Sequence, residues 1–206
     1  MHDEHVPVLI VGGSLVGLAT SLFLAHHRVP SLLVERHATT TRHPRAWGFN
    51  PRTMEVLATA GLTDAVRRAE ADGIPRTAID GGLLKCESLA GAEIVWIQPR
   101  LPDLIGVSPA QWVMCGQDRV EPILRHRAEG LGGRHLFSTE LTGFEQDDEG
   151  VTATLRDVVS GAQRTVRAGY LVAADGSRSS VREALGTTSV EDAREARPKK
   201  GPLKRQ

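Results

Sequence analysis

A hexapeptide near the start of the chain, Gly12-Gly13-Ser14-Leu15-Val16-Gly17, and a carboxylate further on, Glu35, are the first residues whose types and spacing suggest chemistry. In the register Gly12-x-Ser14-x-x-Gly17, the first glycine permits a tight turn and the last lets a helix pack closely on a strand. The helix that opens there offers unpaired N–H groups and a partial positive charge, the features that bind a diphosphate. Ser14 stands where a second glycine is usual. Its Cβ narrows the approach, and its hydroxyl could donate to a phosphate. Glu35 could accept both hydrogen bonds of an adenosine ribose diol and would repel a 2′-phosphate. The hydrolase nucleophile elbow also places a serine on a strand-to-helix turn, but it needs glycine where Val16 stands.

These residues act together only if their flanks build the right elements. Residues 6–11 form a β-branched, nearly continuous apolar run, as expected of a strand buried on both faces. Residues 15–27 place Leu15, Leu18, Ala19, Leu22 and Ala25 at helical spacing, and 31–34 read as a second buried strand ending at Glu35. The result is one βαβ unit of about thirty residues. Further helices are expected over 51–60, 63–69, 117–129 and 179–185, weak strands over 83–97, and a hairpin from 141–147 and 151–157 with 163–168 as a third strand. Residues 170–174 read as a separate buried strand ending at Asp175-Gly176.

Composition narrows the class. Hydrophobic residues make up 40% and formal net charge is zero, which excludes a disordered polyelectrolyte and gives no field toward nucleic acid or anionic lipid. Two cysteines, Cys86 and Cys115, are too few for a disulfide framework and read as inert thiols. Eight histidines show no metal-ligand spacing, so no metal is expected. Trp47, Trp96 and Trp112 read as packing anchors. The first residues carry no basic leader, and the 6–11 run is too short to span a bilayer, so a cytoplasmic protein without membrane partners is expected. Residues 189–206, charge-dense with one leucine, read as a disordered tail after a domain at 1–188.

A second constellation is Leu171-Val172-Ala173-Ala174-Asp175-Gly176-Ser177-Arg178-Ser179-Ser180-Val181-Arg182, an apolar strand ending in Asp-Gly before a helix. With it stand Val8 to Leu18, Leu33-Val34-Glu35-Arg36, the stretch His43-Pro44-Arg45-Ala46-Trp47-Gly48-Phe49-Asn50-Pro51-Arg52-Thr53-Met54-Glu55, and Gln117-Asp118-Arg119-Val120-Glu121-Pro122-Ile123-Leu124. Taken in this order, from about Val6 to Gly186, they resemble the FAD-dependent aromatic hydroxylases of the p-hydroxybenzoate hydroxylase type, and among them the actinomycete polyketide hydroxylases. The resemblance implies a Rossmann-like α/β fold with a parallel sheet and a small antiparallel segment. It also implies FAD as cofactor, NADPH as transient reductant and an aromatic or polyketide substrate.

Site roles follow from the resemblance. The turn Gly12, Gly13, Ser14, Val16 and Gly17, with Glu35 and Arg36, would hold the ADP half of FAD. Arg45 would contact the pyrophosphate and help admit NADPH. Gln117 would reach the ribityl region, a strand residue near Leu141 would flank the adenine, and Asp175 and Gly176 would serve both FAD and NADPH. Alone, Arg45 and Arg52 read as solvated loop arginines, Gln117 as a helix-start polar residue and Asp175 as a turn aspartate. No residue stands out as a catalytic acid or base.

Whole members of the family are roughly twice as long. After Gly186 nothing resembles their second half, which carries another glycine-aspartate FAD motif and most of the substrate pocket. The resemblance therefore implies an N-terminal portion, with weak flavin affinity and little hydroxylation of its own. Two alternatives stay open: a non-catalytic dinucleotide-binding remnant, and an NAD-dependent dehydrogenase, for which the first βαβ unit and Glu35 would serve equally well.

Overall fold

The apolar run before the glycine turn becomes β1 (Glu4–Val11), followed by α1 (Leu15–His26) and β2 (Ser31–Val34). β1 and β2 are parallel, with Val8 opposite Ser31 and Val11 opposite Val34. All four β2 residues and the last four of β1 are buried, which is why neither strand alternates in hydropathy. The computed structural model describes residues 4–42, 48–70, 82–85, 93–96 and 108–187.

α2 (Pro51–Thr59) starts where the side chain of Asn50 accepts from Thr53 N at 2.8 Å and Pro51 takes the first helical position. α3 (Thr63–Arg68) follows, and β3 (Gly82–Lys85) and β4 (Glu93–Trp96) pair as an antiparallel ladder. The rest is α4 (Gln117–Gly130), β5 (Arg134–Leu136), β6 (Thr139–Asp147), β7 (Gly150–Asp157), β8 (Gln163–Ala173) and α5 (Ser180–Ala184). One six-stranded sheet runs β5-β2-β1-β8-β7-β6, parallel through β8 and antiparallel beyond it.

Two expectations need correction, and one strand was not expected. The strands expected at 163–168 and 170–174 are one strand, β8, pairing with β7 from Gln163 to Ala168 and with β1 from Val166 to Ala173. Gly169 does not break it: a Cβ there would lie 3.1 Å from Pro7 O, so glycine admits the neighbouring backbone. The strand is also less buried than expected, since Tyr170 is 73% exposed. Finally, β5 joins the sheet edge beside β2, although Arg-His-Leu carries no strand pattern of its own.

Both sheet faces are packed. Val8, Ile10 and Leu33 meet Leu18 and Leu22 of α1, Met54 of α2 and Leu124 of α4 on one face; Leu9, Val11 and Leu32 meet Leu155, Val166 and Val181 on the other. Cys115 is buried, its thiol donating to Ala69 O at 3.2 Å, and burial pushes its pKa up to about 11. It is therefore a weak nucleophile at neutral pH. Cys86 and Trp47 lie outside the described residues. None of the described helices is long and apolar enough to cross a membrane.

β5 brings a titratable group under α1. The His135 ring is fully buried, with Nε2 2.9 Å from Ser21 Oγ and Nδ1 3.2 Å from Glu129 Oε1. Burial holds its pKa below the ordinary 6.5, outweighing the carboxylate that favours the cation. A depressed histidine pKa means that the fold favours the neutral ring. That stability is whole above the unfolded-state value and is lost as pH falls from there toward the folded-state value. The melting temperature, followed by circular dichroism, is expected to drop between pH 7.5 and 5.5, and the drop to shrink in His135→Gln; equal slopes in both chains would contradict this.

Candidate functional site

The carboxyl ends of β1, β2 and β8 converge on the glycine turn. Gly12 N donates to Val34 O at 2.9 Å, and Ala174 N donates to Val11 O at 2.8 Å. β1 has β2 on one side and β8 on the other, so the turn lies where open α/β sheets bind ligands. Gly12 has φ of +107°, and a Cβ on it would sit 2.3 Å from Ala174 O. A Cβ on Gly17 would sit 1.8 Å from Gly12 O, the tightest approach at any described glycine. A cleft of about 640 Å³ opens above the turn, within the size range of cofactor sites.

Glu35 forms one wall. Its Oε2 accepts from Gly13 N at 2.6 Å, and its Oε1 accepts from His37 N at 2.9 Å and lies 2.5 Å from His37 Nδ1. A Cβ on Gly13 would come within 2.7 Å of Glu35 Cβ, so this glycine makes room for the carboxylate. The turn and Glu35 are thus joined by a direct hydrogen bond, and Arg36 lines the same cleft.

The second wall is set by Glu121, a residue for which the sequence suggested no role. It is completely buried. Its Oε1 accepts from Ser14 Oγ at 2.6 Å and Gln117 Nε2 at 2.7 Å, and its Oε2 accepts from Thr41 N at 2.8 Å. Gln117 Nε2 also donates to Ser14 Oγ at 2.8 Å. The Ser14 hydroxyl hydrogen, expected to meet a phosphate, is therefore directed at Glu121. The Gln117 amide nitrogen, expected to face a flavin, is turned into the same network. Gln117 and Glu121 sit four apart on α4, and this spacing was the available sequence signal that they share a helix face.

Asp175 closes the third side. Its Oδ2 meets Val181 N at 3.3 Å and Ser180 Oγ at 3.4 Å, while its Oδ1 is buried without a hydrogen-bond partner among the described residues. A buried carboxylate oxygen calls for a donor, and Asp175 is one of the residues that line the cleft. Gly176, with φ of +85°, and Arg178 lie on the same rim. Leu141 also lines the cleft, next to a bulge where the β6–β7 register shifts between Leu141 and Gly143. Bulges at such places re-aim side chains.

Not every expected residue gathers here. Val16 is 66% exposed and lines a separate apolar groove between α1, α2 and α4. Gly17 packs beneath the turn, where a Cβ would meet Gly12 O. Arg52 is solvent-facing, its Nη1 2.9 Å from Glu55 Oε2. Arg45 lies outside the described residues. His37, Thr41, Arg42 and Arg178 line the cleft without having been expected there.

A largely parallel sheet whose first strand ends in a glycine turn, bonded to a carboxylate at the end of the next strand, defines a Rossmann-type dinucleotide-binding protein. The chain belongs to the FAD binding domain family, whose model matches residues 5–198. It is 46% identical over 185 residues to a 4-methyl-5-nitrocatechol 5-monooxygenase of a Burkholderia species, covering 89% of this chain and 33% of that protein. It is 45% identical over 187 residues to the aklavinone 12-hydroxylase DnrF of Streptomyces peucetius subsp. caesius, covering 89% and 38%. Among solved structures, a ternary complex of aklavinone-11 hydroxylase with FAD and aklavinone matches with a TM-score of 0.74 and 44% identity, over 90% of this chain and 36% of that one. The chain thus spans about a third of these relatives, less than the half expected from sequence.

Proposed function

We propose that this chain is the FAD-binding portion of a flavin-dependent aromatic monooxygenase acting on polyketide-type phenols, with NADPH as the transient reductant. The observation that carries this reading is the pairing of two carboxylates across one cleft: Glu35 bonded to the turn, and Asp175 with a buried oxygen that lacks a donor. A dinucleotide that places a ribose at the first and a hydroxylated linker at the second fits both. FAD is such a molecule; when bound it supplies the oxygen chemistry, and the protein supplies position and water exclusion.

The chain's own residues divide the work. The turn at Gly12 and Gly13 and the start of α1 receive the diphosphate. Glu35 accepts from the adenosine ribose, with Arg36 beside it, and Leu141 flanks the adenine. Asp175 and Gly176 serve both FAD and the transient NADPH. Arg45 and Gln117 keep the roles that the family resemblance implies, toward the pyrophosphate and ribityl region. The domain extends over 1–188. The solved aklavinone complex and the DnrF hydroxylase favour a polyketide substrate, while the equally similar nitrocatechol enzyme shares only the hydroxylated ring. Hydroxylation by this chain alone is expected to be slight, because it spans about a third of the enzymes it resembles.

Titration of the purified chain with FAD, followed by quenching of flavin fluorescence, tests the reading. Saturable binding, displaced by ADP and stronger than binding of NAD, is expected. Tighter NAD binding would instead identify a dehydrogenase, and a colourless protein indifferent to FAD would identify a remnant without cofactor.

A further inference from the structure

Ser14 is the N-cap of α1, the position at which serine normally turns its hydroxyl back to accept a helix N–H. Here it does not. Its backbone is extended, with φ of −93° and ψ of −168°, yet no cap bond forms from its side chain. The hydroxyl is held by Glu121 at 2.6 Å and by Gln117 at 2.8 Å. The first intrahelical bond of α1 runs from Leu18 N to Ser14 O, so the Val16 and Gly17 N–H groups donate neither to that carbonyl nor to the Ser14 side chain.

Glu121 is an unusual agent for this. A buried carboxylate is costly unless fully hydrogen-bonded, and it stands near a cleft meant for an anion. Its three named partners are neutral donors from three separate segments: Ser14 on the turn, Thr41 on the loop after β2, and Gln117 on its own helix. What it accomplishes is geometric. It draws the cap hydroxyl away from the helix and ties the Thr41 backbone to α4, leaving the helix amides to a ligand.

We propose that Glu121 is a positioning residue for the dinucleotide: it withholds the Ser14 side chain from capping α1 and so reserves the Val16 and Gly17 amides for the diphosphate. The inference deepens the FAD reading and rests on it for the ligand, but the state of the amides can be measured with no ligand present.

The experiment is a double-mutant cycle of Glu121→Leu and Ser14→Ala on the full chain. Any charge repulsion between Glu121 and the diphosphate contributes equally with either residue at position 14, so it cancels in the coupling. Recapping needs the serine hydroxyl. Removing Glu121 is therefore expected to weaken FAD binding about fivefold more in the Ser14 background than in the Ala background, the factor for one cap bond of about 1 kcal/mol. Without ligand, amide hydrogen exchange at Val16 and Gly17 should slow on removing Glu121 only when Ser14 is present. Should the leucine variant lose its fold, Glu121→Gln, which keeps size and one acceptor oxygen, enters the same cycle with coupling of the same sign. Equal effects in both backgrounds, with unchanged exchange, overturn the proposal while leaving the FAD reading intact. Failure of the parent chain to bind FAD sinks the reading, and the exchange data then decide the positioning role alone.

Discussion

A Gly17→Ala chain is expected to melt about 6–12 °C lower than the parent and to bind FAD more than about a hundredfold more weakly. The reason is a contact between backbones. The added methyl would lie 1.8 Å from Gly12 O, a distance real Cβ atoms essentially never adopt, and 3.0 Å from Gly12 C. No flexible side chain can yield. Either α1 withdraws from the sheet, or the Gly12 peptide rotates. Rotation is blocked because Gly12 already has φ of +107° and lies against Ala174 O. Withdrawal breaks the packing of Leu18 and Leu22, both fully buried. Overpacking commonly costs about 1–3 kcal/mol, and a clash between main chains belongs at the upper end. At about 2–4 °C per kcal/mol for a chain of this size, the melting shift follows. Affinity suffers separately, because a displaced α1 no longer aims its amides at the cleft. Gly130→Ala is the control: it ends α4, has no positive φ and has no atom within 4 Å of where its methyl would lie, so it should be neutral or slightly stabilising. A Gly17→Ala melt within 2 °C of the parent, roughly one kcal/mol or less, would show that the turn is looser than these contacts require.

The same contacts explain what could be read from sequence. Gly12, Gly17 and Glu35 were legible because each answers a backbone demand that only one or two residue types meet: left-handed φ, methyl-free packing, a carboxylate at a strand end. The β1–α1–β2 unit was legible for a similar reason, since burial on both faces leaves an uninterrupted apolar signature. β8 was read as two strands because it runs past the end of antiparallel β7 at Ala168 while parallel β1 continues beside it to Ala173, and Gly169 interrupts the pattern where β7 ends. β5 was invisible because its place is set by β2, not by its own three residues. Glu121 was missed because a charged residue inside a helix is ordinarily a solvent-facing one. Only its partners, 107 and 80 residues away in the chain, bury it.

Glu35 carries the second large effect, on choice of nucleotide. The parent chain is expected to bind ADP far more tightly than ADP bearing a 2′-phosphate, and Glu35→Ala to erase that preference. The carboxylate is fixed from two directions, by Gly13 N at 2.6 Å and by His37 N at 2.9 Å, so it cannot swing aside for a second anion. Like charges about 5 Å apart at an effective dielectric of about 20 repel by about 3 kcal/mol, on the order of a hundredfold in affinity. Removing the carboxylate also strands the Gly13 and His37 amides and takes away the ribose acceptor, so ADP affinity itself should fall by about tenfold or more. The ratio of the two affinities within each variant separates these effects. Loss of fold or of the turn weakens both nucleotides together, whereas loss of the charge moves the ratio toward one. Calorimetric titration of each protein with ADP and its 2′-phosphate gives that ratio directly. An Ala variant that still rejects the 2′-phosphate about a hundredfold would place the discriminating charge elsewhere on the rim, where Glu140 is another carboxylate lining the cleft.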